Sequence, residues 1–469
     1  MATKEISNQP RRAMGFRDLV LFYVVTGISL RWIATAATAG ASAIVIWLFA
    51  WFAFYLPLAL SVMELSSRYP QDGGLYVWTK HAYGDFAAFM NGWTYWASNL
   101  PYFPAVLYIA ASSALYIGPA RWHSLAGNKT YFIVFSLAGL LLGTVLNVVG
   151  LSVGKWLHNL GAIGTWLPIG MLYVIAAVCW WRFGSATSFR GANLIPHTHF
   201  RDVLFWATIV FALGGSESAS FLGDEVKNPR RNIPRALLIA GTIVTTGYIL
   251  GTVAMLIALP SSKVSGLEGI MQAISTAGNR IGLDSVGPIA ALLIVVSNIG
   301  ALGAWLAATA RLPFVAGIDR YLPAIFAKLH PRWRTPYVAL LTQSALGAVF
   351  IFLGQAGTSI SGAYEIFVST GIISYFIPYL FTFASLIRLQ REPAGADVFR
   401  IPGGPRVVTT IGGLGFTTTL VTIVLSLVPA PDEPHPFIAV AKIVGLTFVL
   451  LAGGAGIFHT GRKRQQQTA

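Results

Sequence analysis

Apolar residues run through this chain in long stretches separated by short polar ones. A helix needs about 20 consecutive apolar residues to cross a bilayer core. Stretches of that kind recur at 17–38, 42–65, 86–117, 130–150, 157–181, 203–223, 236–259, 286–311, 336–354, 363–388, 407–428 and 437–458. The pattern predicts an all-α membrane protein of about 12 transmembrane helices joined by short loops. Residues 1–15 are polar and basic, and the first apolar run follows them without a small-residue cleavage site. That run therefore reads as an uncleaved first span. Polar tails are expected at 1–15 and 461–469, with no soluble domain between them.

Two of the spans carry an internal interruption. The first reads LVLFYVVTGISLRWIATA, with Thr26, Gly27, Ile28 and Ser29 between two apolar halves and Arg31 opening the second. The sixth reads ATIVFALGGSESASFLG, with Gly214, Gly215 and Ser216 at the same depth. A single glycine costs a helix only about 1 kcal/mol against alanine. Two such breaks, five spans apart, predict inverted repeats of helices 1–5 and 6–10 with a midplane site between them. Unwound backbone there would offer amides to a carboxylate and carbonyls to an ammonium group. The competing reading is that these small residues only let helices pack closely.

Composition sharpens the class. Of 469 residues 55% are hydrophobic and 10% charged, against roughly 25% charged in soluble domains, which argues against a soluble enzyme. Lys and Arg outnumber Asp and Glu 32 to 17. Counted between spans, 23 of the 32 fall on the side of the N-terminus, 8 on the other, and Arg31 lies within the first span. The positive-inside rule then places both termini in the cytoplasm. The basic clusters at 227–235 and 328–334 read as anchors against anionic lipid, not as a nucleic-acid surface. One cysteine, Cys179, allows no internal disulfide and no cysteine-rich metal site.

Several tempting motifs fail. Gly150 to Lys155 has three residues between its glycines rather than four, and Trp156 stands where a phosphate loop needs Ser or Thr. The stretch Gly214 to Ser218 lacks the last glycine of a nucleophile elbow. The eight histidines form no metal-ligand motif. An ATP-driven pump, an enzyme, and a metal or other cofactor are all unsupported.

Three blocks carry a resemblance. GGSESASFLGDEVKNPRRNIPRA at 214–236, ELSSRYPQDGGLYVWTKHAYGDFAAFMNGWTYW at 64–96 and GALGAWLAATARLPFVAGIDRYLPAIFAKLHPRWRTP at 300–336 are similar to the sixth helix, the second-to-third helix and the eighth helix of the amino acid–polyamine–organocation (APC) superfamily. The likeness covers about residues 16–390, and the chain is similar especially to the arginine/agmatine and glutamate/GABA antiporter group. It implies ten core helices in two inverted repeats (16–390) plus helices 11 and 12 (391–460). It also implies a secondary carrier of amino acids, polyamines or related compounds, often an exchanger or proton-coupled. A homodimer stays open.

The resemblance also marks residues. It places an acidic group like Glu217 near substrate, where it responds to protons. A charge at the bilayer centre costs ~2.5–3.5 kcal/mol and so faces a cavity or a partner. It places Phe211 as an aromatic lid, Trp305 in the pocket wall and Tyr95 at the inner side of the site. Ser98, Asn99 and Asn298 are weaker pocket candidates, while Glu64 and Glu365 near span ends read as structural. Some relatives carry a lysine in helix 5 in place of sodium; Thr165 stands there and Lys155 lies at the helix start, so a lysine proton site is not expected. Arg31 departs from the family's Gly-x-Gly turn. It reads as an anchor for an acidic substrate such as glutamate, as a counter-ion to Glu217, or as a side chain snorkelling to the interface. The first two roles disfavour dicationic substrates. The leading expectation is an inner-membrane amino acid carrier working by alternating access. In it the substrate carboxylate meets the backbone at Thr26–Ser29, and the amine meets carbonyls at Gly214–Ser216. The alternative from another class is a non-transporting sensor or a subunit that needs a partner.

Overall fold

The computed structural model describes residues 15–71, 73–149, 151–196, 200–218, 220, 226–315, 318–333, 335–393, 395, 398–429 and 435–468. These are helical with no strand among the described residues. Among the described residues, nine helices are long and apolar enough to cross a membrane, from Gly40–Arg68 to Pro436–Gln467. The three remaining expected crossings, the first, third and sixth, are the interrupted ones. Together they account for the twelve apolar stretches.

Each interruption has a local cause. The first span is a helix at Phe16–Gly27 and another at Leu30–Ala37, with Ile28 and Ser29 extended between them. The third is Asp85–Ala97 followed by Asn99–Ala114. There Ser98 and Asn99 turn their side chains back onto the carbonyls of Tyr95 and Trp96, and Pro101 and Pro104 lack the amide a helix needs. The sixth runs as Phe200–Ala212 and then leaves the helix. Gly215 takes φ +107°, a left-handed conformation that favours glycine.

Close packing accounts for glycines elsewhere. The seventh span, Pro229–Ala258, lies against the first two. A Cβ at Gly241 would stand 2.0 Å from Tyr55, and one at Gly251 2.6 Å from Ile33. Between the fifth span, Leu151–Phe183, and the eighth, Val286–Val315, a Cβ at Gly164 would meet the carbonyl of Leu293 at 2.4 Å. Without a hydrophobic drive between helices in lipid, such close approach is a main source of association.

Three expectations of plain connections need correction. Helices form at Gly74–Tyr83 and Gly269–Arg280, inside loops expected to be simple. The twelfth helix continues to Thr468 instead of ending before a tail at 461–469. Gln and Arg are good helix formers, and Gln465 donates to the carbonyl of Arg320. Glu64 has a structural place: its Oε1 accepts from Arg68 Nε and Nη2 at 3.0 and 2.7 Å, and its Oε2 from the amide of Ile401 at 3.0 Å. The same helix end holds the following loop through Tyr69, which donates to Glu392 at 2.5 Å. Burial first, and then that bond, push the Tyr69 hydroxyl up to about 12, so the proton stays on its oxygen at neutral pH.

Candidate functional site

At the first break, the carbonyl of Gly27 and the amide of Ser29 have left the helical ladder. Tyr248 of the seventh span serves both. Its hydroxyl donates to Gly27 O at 2.6 Å and accepts from Ser29 N at 3.1 Å. The ring is held flat against Trp47, with centroids 4.5 Å apart and planes 5° from parallel, and Trp47 donates to Thr252. A phenol fits because it carries one donor and spare acceptor capacity on a rigid stem.

A parallel arrangement closes the sixth break. The amide of Gly215 donates to Tyr379 Oη at 2.8 Å, and Tyr379 donates to Glu217 Oε2 at 2.8 Å. Glu217 Oε1 accepts from Tyr375 at 2.8 Å and from Tyr95 at 2.9 Å. Glu217 is fully buried. Three neutral hydroxyls thus stand in for the water or counter-ion that a buried carboxylate needs. Tyr375 and Tyr379 sit four apart on the tenth span, Ile360–Leu389, which puts both hydroxyls on one helix face.

A cavity of about 130 Å³ lies between the two breaks. The first span contributes Gly27, Ser29, Arg31 and Trp32; the third, Ser98, Asn99, Tyr102 and Ala105. Phe211, Ala212 and Gly214 come from the sixth, Trp305 from the eighth, and Phe367, Val368, Gly371 and Tyr375 from the tenth. Phe211 stands edge-on between Trp32 and Tyr375, with centroids 5.1 and 5.5 Å away. Trp305 meets Tyr102 at 5.9 Å.

Among the residues singled out from sequence, Gly27, Ser29, Arg31, Phe211, Gly214 and Trp305 share this wall, with Ser98 and Asn99. Ile28, Gly215, Ser216, Tyr95 and Glu217 are absent from it; Tyr375 both lines the cavity and bonds Glu217, and the Tyr95 carbonyl accepts from Ser98 and Asn99 of the wall. The Thr26 side chain lies outside the described residues, as does that of Lys155. Arg31 makes no ion pair with Glu217. Its guanidinium lies 3.9 Å over the Trp32 ring and 5.3 Å from that of Tyr102. Among the described residues the ion pairs are Arg68–Glu64 and Lys80–Asp85. Thr165 shares a 2.6 Å hydrogen bond with Ser297, and Asn298 donates to Ile294 O in its own helix.

The breaks also hold a correction. The Ser29 amide, part of the Thr26–Ser29 backbone expected to meet a substrate carboxylate, is already bonded to Tyr248, and the Gly215 amide is bonded to Tyr379. Tyr248, Tyr375 and Tyr379 were not singled out from sequence. A hydroxyl deep in an apolar run, and a Tyr pair at i,i+4 in SYFIPYLF, are the signals that could have found them.

Known proteins agree on the class. The profile of the amino acid permease family matches residues 15–449. The serine/threonine exchanger SteT of Bacillus subtilis is 27% identical, covering 81% of this chain and 84% of its own. The glutamate/serine transporter AimA of the same organism is 26% identical over 87% and 76%. A protein of Lactococcus lactis named as a probable agmatine/putrescine antiporter, AguD, is 22% identical over 84% of each. The substrates for which these three are named differ in net charge, so the likeness fixes the class and not the cargo. With a profile match over most of its length and nine spanning helices, the chain belongs to the amino acid permease family of the APC superfamily, as a multi-pass membrane transporter and not an enzyme.

Proposed function

We propose that this chain carries an amino acid across the inner membrane by alternating access, with both termini in the cytoplasm and Glu217 as its proton-sensitive group. The observation that carries the reading is the single cavity bounded by both helix breaks, with the Glu217 cage against one side of it. In the tenth span the cavity residues Phe367, Val368 and Gly371 precede Tyr375, and Tyr379 follows. At 1.5 Å per residue, Tyr379 lies about 12 Å beyond Gly371 along the helix. With 23 of 32 basic residues on the side of the termini, that direction is toward the cytoplasm. The cage of Tyr95, Tyr375, Tyr379 and Glu217 is thus the inner floor of the site.

A carboxylate accepts from all three hydroxyls; a protonated carboxyl turns one oxygen into a donor facing a donor. Protonation therefore loosens the floor, and Tyr375 links that event to the substrate space. Phe211 and Trp305 close the sides. Whether the counter-movement is a second amino acid or a proton is read directly from flux. Purified protein in liposomes is given labelled amino acids, with and without trans substrate and with and without a pH gradient. Uptake that depends on trans substrate establishes exchange. Uptake driven by inward acid establishes symport. No flux under any condition sinks the carrier reading in favour of a sensor or a partner-dependent subunit.

A further inference from the structure

Resting on the carrier reading above, we infer that the transported substrate is an anionic amino acid, one with a carboxylate in its side chain, and that Arg31 is the residue that selects it. On the cavity wall lie two helix C-terminal ends, that of Phe16–Gly27 through Gly27 and that of Phe200–Ala212 through Phe211 and Ala212, and one helix start, that of Leu30–Ala37 through Ser29 and Arg31. Their fractional charges, about −0.5 at a C-terminus and +0.5 at an N-terminus, suit the ammonium and the carboxylate of a zwitterion and do not add up to a full counter-charge for a further cation.

Arg31 is then a full positive charge in excess. No acidic residue lines the cavity among the described residues. The nearby carboxylate, Glu217, is turned away and spends both oxygens on tyrosines. Stacking on Trp32 and Tyr102 holds the guanidinium in place and still leaves its N–H donors to find acceptors, since a cation over a ring is bound through the face of its plane. A second carboxylate on the substrate neutralises Arg31 in a bidentate pair. A zwitterion leaves the excess charge standing, and a diamine adds to it.

The cavity is small, about 130 Å³, and suits a small molecule. The walls at Phe211, Trp305 and Phe367 leave no room for a peptide.

The test uses the full chain in liposomes loaded with unlabelled glutamate, aspartate, serine, arginine or putrescine, each assayed for uptake of its labelled form. Glutamate or aspartate uptake is expected to dominate in the wild type. Arg31→Gln is expected to lower acidic uptake roughly ten- to a hundred-fold, the loss of one charge-assisted hydrogen-bonded pair, while serine uptake is kept or rises. Arg31→Lys is expected to retain part of the acidic uptake, because the charge remains and the fork is lost. Preference for serine, arginine or putrescine in the wild type, or an unchanged order of substrates in Arg31→Gln, overturns the inference and leaves the carrier reading standing. Absence of all flux in the wild type overturns both. Should Arg31→Gln transport nothing, thermal stabilisation of the detergent-solubilised proteins decides. Glutamate raising the Tm of the wild type and not of the variant supports the inference. Serine or putrescine raising the wild-type Tm where glutamate does not overturns it.

Discussion

At the break in the first span, one hydroxyl from the seventh span ties two backbone groups together, Gly27 O and Ser29 N. At the break in the sixth, one hydroxyl from the tenth span ties a backbone amide, that of Gly215, to a carboxylate, that of Glu217. The device is the same and the recipient of the proton differs. Tyr248 gives its proton to a peptide carbonyl, whose accepting strength does not change with pH. Tyr379 gives its proton to a group that can itself be protonated. On the proposed function, the first break is then a fixed hinge and the sixth a chargeable one. The charges follow the same division. Arg31 stands in the cavity wall on a bed of aromatic rings, open to a ligand. Glu217 is sealed and reads the cavity through Tyr375.

The difference is broken most directly at Glu217. Glu217→Gln leaves a permanently neutral group in the cage, one whose NH₂ faces a hydroxyl donor. We expect uptake to fall by roughly ten- to a hundred-fold, from loss of hydrogen bonds to a charged acceptor at about 1.5–3 kcal/mol each. The remaining rate should be flat from pH 5 to pH 8, where the wild-type rate is expected to vary. Glu217→Asp should restore a pH dependence. A sloped pH profile in Glu217→Gln removes this carboxylate from the mechanism.

Tyr248→Phe breaks the other hinge. It leaves a buried amide and a buried carbonyl without their shared partner, at about 1–3 kcal/mol for an unsatisfied group. The expected result is a lower melting temperature and a roughly tenfold slower uptake by the same factor at every pH. A changed shape of the pH profile would falsify the division into a fixed and a chargeable break.

How much of this was legible in the sequence depends on the range of the interaction. Both breaks could be read, because Gly27 and the Gly214–Gly215 pair interrupt otherwise uniform apolar runs. So could the charges Arg31 and Glu217, since an ionisable group inside an apolar span is rare; the wall positions Phe211 and Trp305 rest on the family resemblance instead. The tyrosines that complete each break were not legible. Tyr248 meets Ser29 across 219 positions, and Tyr375 and Tyr379 meet Glu217 across 158 and 162. In a chain with 17 tyrosines, depth in an apolar run or an i,i+4 pair marks a candidate hydroxyl apart from those at the lipid interface, but nothing local says which broken backbone it bonds. The helices at Gly74–Tyr83 and Gly269–Arg280 were hidden for another reason: they are too short and polar to stand out from loop by hydropathy.

Within the cage, the two ends of the carboxylate should differ. Tyr379→Phe removes the bond to Oε2 and the support of the Gly215 amide together. Tyr95→Phe removes one of two bonds to Oε1 and leaves Tyr375 in place. Tyr379→Phe is expected to slow uptake about five- to tenfold and shift the midpoint of the pH profile, and Tyr95→Phe to do less of both, at about 1 kcal/mol for a single neutral-donor bond. Equal effects would mean that the cage acts as a unit and that Tyr379 has no separate hold on the break.

The smallest expected effect comes from Ser29→Ala, and it sharpens what the first break offers a substrate. Read from sequence, the backbone at Thr26–Ser29 is expected to meet a substrate carboxylate. In the structure the Ser29 amide is already held by Tyr248, and the start of the next half-helix lies in the cavity wall beside Arg31. If the helix end and the guanidinium hold the substrate, removing one neutral hydroxyl costs about 0.5–1.5 kcal/mol at most, a KM raised roughly two- to tenfold with the maximal rate and pH profile unchanged. The hinge stays intact because Tyr248 bonds the backbone of residue 29, which alanine keeps. A KM increase as large as that of Arg31→Gln would transfer the anchoring role from the charged side chain to the hydroxyl, and the first break would then resemble the sixth in binding its partner through a side chain of the broken segment itself.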